Sequence, residues 1–125
     1  MPICELCDRL TIAQLKHARL DDSEIDKNLL AGQIAYYKRG VPVDDRLNEL
    51  INSLLDINGQ MWDAEHDIRK GVDDSLPLEI IGERAIKIRN LNRIRVSIKN
   101  EISLLFQQPE FLDCKMNHLS SAGDT

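Results

Sequence analysis

Residues 44–70 read DDRLNELINSLLDINGQMWDAEHDIRK, and their spacing decides the fold. Leu47, Leu50, Leu54, Ile57, Met61, Ala64 and Ile68 alternate steps of three and four, the period that lines one face of an α-helix. Ile51, Leu55 and Trp62 add a second stripe beside the first. A helix so broad on its apolar side must touch more than one neighbour. Asp44 stands where a side-chain cap is needed, so the helix is expected to run from there to about Lys70.

Working outward, the chain after this helix reads as a loop over Gly71 to Ser75 and then a second long helix from about Leu76 to Gln107. Pro77 suits its first turn and Pro109 closes it. Its stripe is Ile81, Ala85, Ile88, Leu91, Ile98, Ile102 and Leu105. Before residue 44, a first helix is expected over Ile3 to Leu20, with Ile3, Leu6, Cys7, Leu10, Ala13 and Leu15 inward. Asp21, Asp22 and Ser23 break and cap the chain, and a further helix runs from Glu24 to Lys38, presenting Ile25, Leu29, Ile34 and Tyr37. Arg39-Gly40 ends it, and Val41-Pro42-Val43 connects it to the quoted stretch. The expected fold is all-α: an up-and-down bundle of four helices with a long central hairpin, made of helices three and four, that outruns its partners. The apolar surface left on that hairpin points to a homodimer. We expect one domain over residues 1–119 and a frayed tail over 120–125.

Composition agrees. Of 125 residues, 42% are hydrophobic but only 4% aromatic, so Leu and Ile must fill the core. The formal net charge of −5 lacks the basic footprint of a nucleic-acid binder, and the basic stretch RNLNRIRVSIK spreads around its helix. No apolar run reaches the ~18 residues a membrane span needs. Glu5, Asp8 and Arg9 interrupt the start where a leader would be apolar, so we expect a cytoplasmic protein with reduced thiols.

Two constellations carry possible chemistry. Cys4-x-x-Cys7 and Cys114-x-x-x-His118 have the half-site spacing of a zinc site that would staple the two ends of the bundle. Against this, CELC lies in a helical pattern, and free cysteine behaves as a small core hydrophobe. An odd cysteine count also argues against a disulfide framework. The second constellation surrounds Arg95, which stands one heptad from both Ile88 and Ile102, where an apolar residue belongs. A buried guanidinium must be paired. Glu65, on the flank of the third helix's stripe, is the expected partner. Either the two form an ion pair inside the bundle, or Asn58, Glu65, Asn92, Arg95 and Lys99 line a polar pocket for an anionic ligand. Asp63, His66 and Asp67 read as a solvated face.

The segments ELCDRLTIAQLK, INGQMWDAEHDIR and IRNLNRIRVSIKNEI, with Lys115 beyond them, resemble a family of small all-helical proteins of unknown function that recurs near bacterial polysaccharide and glycosyltransferase genes. Carried over by position, the matched polar residues are Asn58, Asp63, Glu65, Asp67, Arg69, Asn92, Arg95, Lys99 and Lys115. The family has a glycine-like residue at position 4 and an aliphatic one at position 7, which supports the core reading of the cysteines. The resemblance implies a context in surface-glycan or sugar-nucleotide metabolism and no reaction. A weaker likeness is to the MazG-type all-α nucleoside triphosphate pyrophosphohydrolases, which hold Mg²⁺ on acidic helix faces. The acids here would be Asp63, Glu65, Asp67, Glu79 and Glu83, but that family's EExxE and ExxD motifs are absent, and Asp63, Glu65 and Asp67 cannot share one helical face.

The sequence therefore favours a helical binding or interaction protein over an enzyme, with no cofactor. Its partner would be a second copy, another protein or an anionic small molecule. Its candidate ligand-binding residues are Asn58, Asp63, Glu65, Asp67, Asn92, Arg95, Lys99 and Lys115. The alternatives are a Mg²⁺-dependent nucleotide or sugar-phosphate (pyro)phosphohydrolase and a zinc-stapled bundle using Cys4, Cys7, Cys114 and His118.

Overall fold

A computed structural model describes residues 1–20, 23–73 and 75–113. They form α1 (Ile3–Arg19), α2 (Glu24–Arg39), α3 (Asp45–Asp73) and α4 (Leu78–Leu105), followed by a single 3₁₀ turn over Pro109–Phe111. There is no strand among the described residues.

The helix ends follow local chemistry. Ser23 Oγ accepts the Asp26 backbone N–H at 3.3 Å, and Asp44 Oδ1 accepts that of Leu47 at 2.8 Å. Each satisfies a first-turn donor that has no partner within its own helix. Gly40 follows α2 in the right-handed region, so it is not there for a left-handed turn. It lies close against α1: a Cβ at that position would lie 2.9 Å from Cδ1 of Leu6, the far end of a side chain that can turn aside. α4 closes with two reverse bonds, Gln107 N–H to Leu104 O at 3.1 Å and Gln108 N–H to Ser103 O at 2.7 Å. That pattern requires a left-handed residue between them, and Gln107 takes it with φ of 56°.

Contacts give the direction of each helix. Arg46 at the start of α3 reaches Glu101 at the end of α4, and Arg84 early in α4 donates to the Asp67 carbonyl late in α3, so the hairpin is antiparallel. Along α1, Glu5, Asp8 and Arg19 meet Lys99, Arg95 and Asp63 respectively. α1 therefore runs against α4 and with α3. Lys27 of α2 donates to the His17 carbonyl while Gly40 lies against Leu6, so α2 descends along α1. The result is the expected all-α, up-down-up-down arrangement.

The core is shared by α1, α3 and α4. Cys4 and Cys7 sit in it with Leu47, Leu50, Leu54, Ile57, Ala64, Leu91, Ile98 and Ile102. α2 packs on α1 and buries no residue of its own. The spacing of Ile25, Leu29, Ile34 and Tyr37 suggests one inward face, but of the apolar residues at these and neighbouring positions Leu30, Ile34 and Tyr37 are half-buried, while Ile25 and Leu29 stand in solvent. The physical reason is angular: residues 25 and 29 lie nearly opposite 34 and 37 at ~100° per residue. α1 ends at Arg19, beside Asp63, and α3 continues to Asp73. The hairpin thus does outrun its partners.

Candidate functional site

Three helices meet at the carboxylate of Asp8, which is 4% exposed. Cys4, Cys7, Asp8, Thr11 and Leu15 follow one another at helical spacing on the buried face of α1, so Asp8 and Thr11 are forced inward with the apolar residues. The Thr11 hydroxyl donates to the Asp8 carbonyl at 2.8 Å. From α3, Asn58 Nδ2 donates to Asp8 Oδ1 at 3.1 Å and to Thr11 Oγ1 at 2.8 Å. From α4, Arg95 grips the carboxylate with both arms: Nε to Oδ1 at 3.0 Å and Nη2 to Oδ2. Its third nitrogen, Nη1, donates to Asn92 Oδ1 at 3.1 Å. Lys99, one turn further on, pairs with Glu5 and stands 4.0 Å from Asp8 Oδ2.

Burial by itself pushes the Asp8 carboxyl up, but the hydrogen bonds and charge of Arg95, then Asn58 and Lys99, outweigh it and hold the pKa below the ordinary carboxylate value. Arg95 is raised in turn, chiefly by its hydrogen bonds to Asp8. Both groups are therefore charged at neutral pH, and the pair forms a two-toothed, charge-assisted clasp between α1 and α4.

This corrects the expected partner of Arg95. Glu65 is exposed, and its charge reaches Arg95 only as a minor contribution. The partner is Asp8, because α1 lies directly over the position of Arg95. Asn58, Asn92, Arg95 and Lys99 gather around Asp8 and Glu5, two carboxylates that sequence reasoning missed. A signal for Asp8 was present: it interrupts the buried stripe of α1 just as Arg95 interrupts that of α4. Asp63 lies apart, pairing with Arg19 Nη1 at 2.6 Å. That same guanidinium nitrogen also donates to the Gly59 carbonyl at 3.3 Å. Asp67 is exposed, with its carbonyl taken by Arg84. Lys115 lies outside the described residues.

Beside the clasp is a cavity of about 310 Å³ lined by Ile12, Leu15, Asn58, Met61, Trp62, Glu65 and Arg95. Its walls are mostly apolar, with Asn58, Glu65 and Arg95 as the polar groups.

Among the described residues, no three His, Cys, Asp or Glu side chains are grouped to hold a metal ion. Cys4 and Cys7 are fully within the core, and burial, with Cys4 and Asp8 nearby, pushes the Cys7 thiol up to about 12. With no metal beside it, such a group is a protonated thiol at neutral pH. Cys114 and His118, the other half of the expected zinc site, lie outside the described residues. The two ends of the domain do meet, but through an amide: the Ile3 N–H donates to Gln108 Oε1 at 3.2 Å.

No family model, curated protein or solved structure matches this chain. No described helix is long and apolar enough to cross a membrane.

Proposed function

We propose that this chain is a helical interaction protein and not an enzyme, acting through apolar helix surface left open on the bundle. The observation that carries the reading is α2, a helix that buries none of its residues and turns Ile25, Leu29 and Tyr36 to solvent. Apolar surface held in water marks a contact site. The polar cluster supports the same reading, because Arg95 and Lys99 each already face a carboxylate. Its role is to hold α1, α3 and α4 in register. The family resemblance adds a context, a cytoplasmic protein serving surface-glycan or sugar-nucleotide metabolism.

A second reading rests on the cavity beside Trp62. Its volume is at the lower end of ligand pockets, and an apolar wall with a few convergent polar groups is their usual lining. A small ligand bound there would engage Asn58, Glu65 and Arg95. One experiment separates the two: a thermal-shift screen of nucleotides and nucleotide sugars, each with and without Mg²⁺. A ligand at ~100 times its dissociation constant stabilises by about 2.7 kcal/mol. The interaction reading expects no shift. A shift lost in Glu65→Gln would establish the cavity as a ligand site, and Mg²⁺-dependent turnover would establish the hydrolase instead.

A further inference from the structure

The outer face of α2 carries Ile25, Leu29, Gly32 and Tyr36, at steps of four, three and four. The half-buried residues of this helix, Lys27, Leu30, Ile34 and Tyr37, occupy the opposite face, so the stripe points directly away from α1. Ile25, Leu29 and Tyr36 are 73%, 63% and 62% exposed, and nothing lies within 4 Å of a Cβ built on Gly32. A solvent-facing helix surface is ordinarily polar. A narrow apolar seam at this spacing is the pattern with which one helix lies along another.

We propose that α2 pairs antiparallel with α2 of a second copy of this chain, across a two-fold axis; this rests on the interaction reading above. Two observations select that occupant and that direction. The first is shape. Reversed about the midpoint between Leu30 and Ala31, the seam is its own complement: Ile25 meets Tyr36, and Leu29 meets the open surface over Gly32. A parallel pairing would set Gly32 on Gly32 and leave a void.

The second is charge. The first turn of α2 carries Glu24 and Asp26, and its last turn carries Lys38 and Arg39. Antiparallel pairing places each acidic end beside a basic end, twice over, and the helix dipoles add in the same sense. Parallel pairing would set like charges together. The Arg39 guanidinium rests 5.9 Å from the centre of the Tyr36 ring, which holds the cation at the edge of the seam where the other copy's acidic end arrives. At ~1.5 Å rise per residue α2 is only about 24 Å long, so the contact is smaller than a standard interface and the association is micromolar.

Sedimentation equilibrium of the whole chain tests this. A dimer should form as the concentration passes through the micromolar range. Leu29→Glu should weaken it by at least about tenfold while leaving the melting temperature of the monomer unchanged, since Leu29 touches solvent. Gly32→Leu should weaken it as well, and that substitution enters open space and raises helix propensity, so it cannot act by unfolding α2. For direction, a Cys114→Ser background is oxidised with Ile25→Cys in one copy and Tyr36→Cys in the other. The mixture should cross-link more completely than either variant alone.

A chain that stays monomeric to hundreds of micromolar, or a Leu29→Glu dimer of undiminished strength, overturns the pairing. Faster self-cross-linking of Ile25→Cys alone overturns the antiparallel direction. A monomer would leave the interaction reading to another partner, whereas a ligand found in the thermal-shift screen would overturn that reading itself.

Discussion

At the residue scale, the decisive group is Asp8. Removing Arg95 leaves its buried carboxylate without its two-toothed partner and with only Lys99, 4.0 Å away, as a counter-charge, which is more costly than losing a contact. Arg95→Ala is expected to destabilise the fold by about 3 kcal/mol or more, against under ~0.5 for Arg89→Ala on the exposed side of α4. Urea unfolding of the two variants measures this. Equal small losses would show that the clasp does not form. The same carboxylate sets a pH dependence. Its folded pKa lies below its unfolded value, so its contribution is full above the unfolded pKa of ~3.9 and is lost as pH falls through the folded value. Arg95 is shifted upward and stays charged throughout that range. The melting temperature should therefore fall on acidification below about pH 4, and more steeply in the wild type than in Asp8→Asn. Parallel profiles would place the acid sensitivity elsewhere. Arg95 was legible in the sequence as a buried charge because it broke a stripe. Its partner was not, because helical spacing says which face a residue occupies and not which helix covers that face.

At the element scale, the end of α4 shows local rules being met by an unusual residue. Gln107 adopts a left-handed conformation that a side chain disfavours, and the reverse bonds to Leu104 and Ser103 hold it there. Gln107→Gly is expected to stabilise the protein by roughly 0.5–1 kcal/mol, read as a higher urea midpoint at unchanged m-value. A loss would mean that the Gln107 side chain makes a contact worth more than the strain. The neighbouring Gln108 binds the Ile3 amide, tying the end of α4 to the first turn of α1. Most helix ends were readable, because Pro77, Pro109, Ser23, Asp44 and Gly40 act within a turn of where they stand; the exception is the expected loop over Gly71 to Ser75, where α3 stays helical as far as Asp73. The face of α2 was not, since its apolar residues point both ways and only the position of α1 separates them.

At the scale of the whole molecule, the described residues cover the hairpin at one end and leave it bare at the other. α1 shields α3 as far as Asp63, and beyond it α3 and α4 have mainly each other. Hydrogen exchange should report this. Amides near Ala64 to Ile68 and Ile81 to Ala85 are expected to exchange through local opening, well before those around Leu54 and Ile98, which exchange only on global unfolding. Uniform protection along α3 would mean that a second molecule covers the tip.

What could be read from the chain alone was what depends on neighbours in sequence: four helices, their caps and breaks, the three–four stripes, and the two cysteines as core residues. Tertiary structure alone decided that Arg95 closes on Asp8 and not Glu65, that Asn58 joins α3 to that clasp, and that Ile25, Leu29 and Tyr36 of α2 stay exposed. The physical reason is that helix formation is governed by contacts within four residues. The pairing of buried charges depends on which faces are pressed together, and that is settled only by the burial of the entire core.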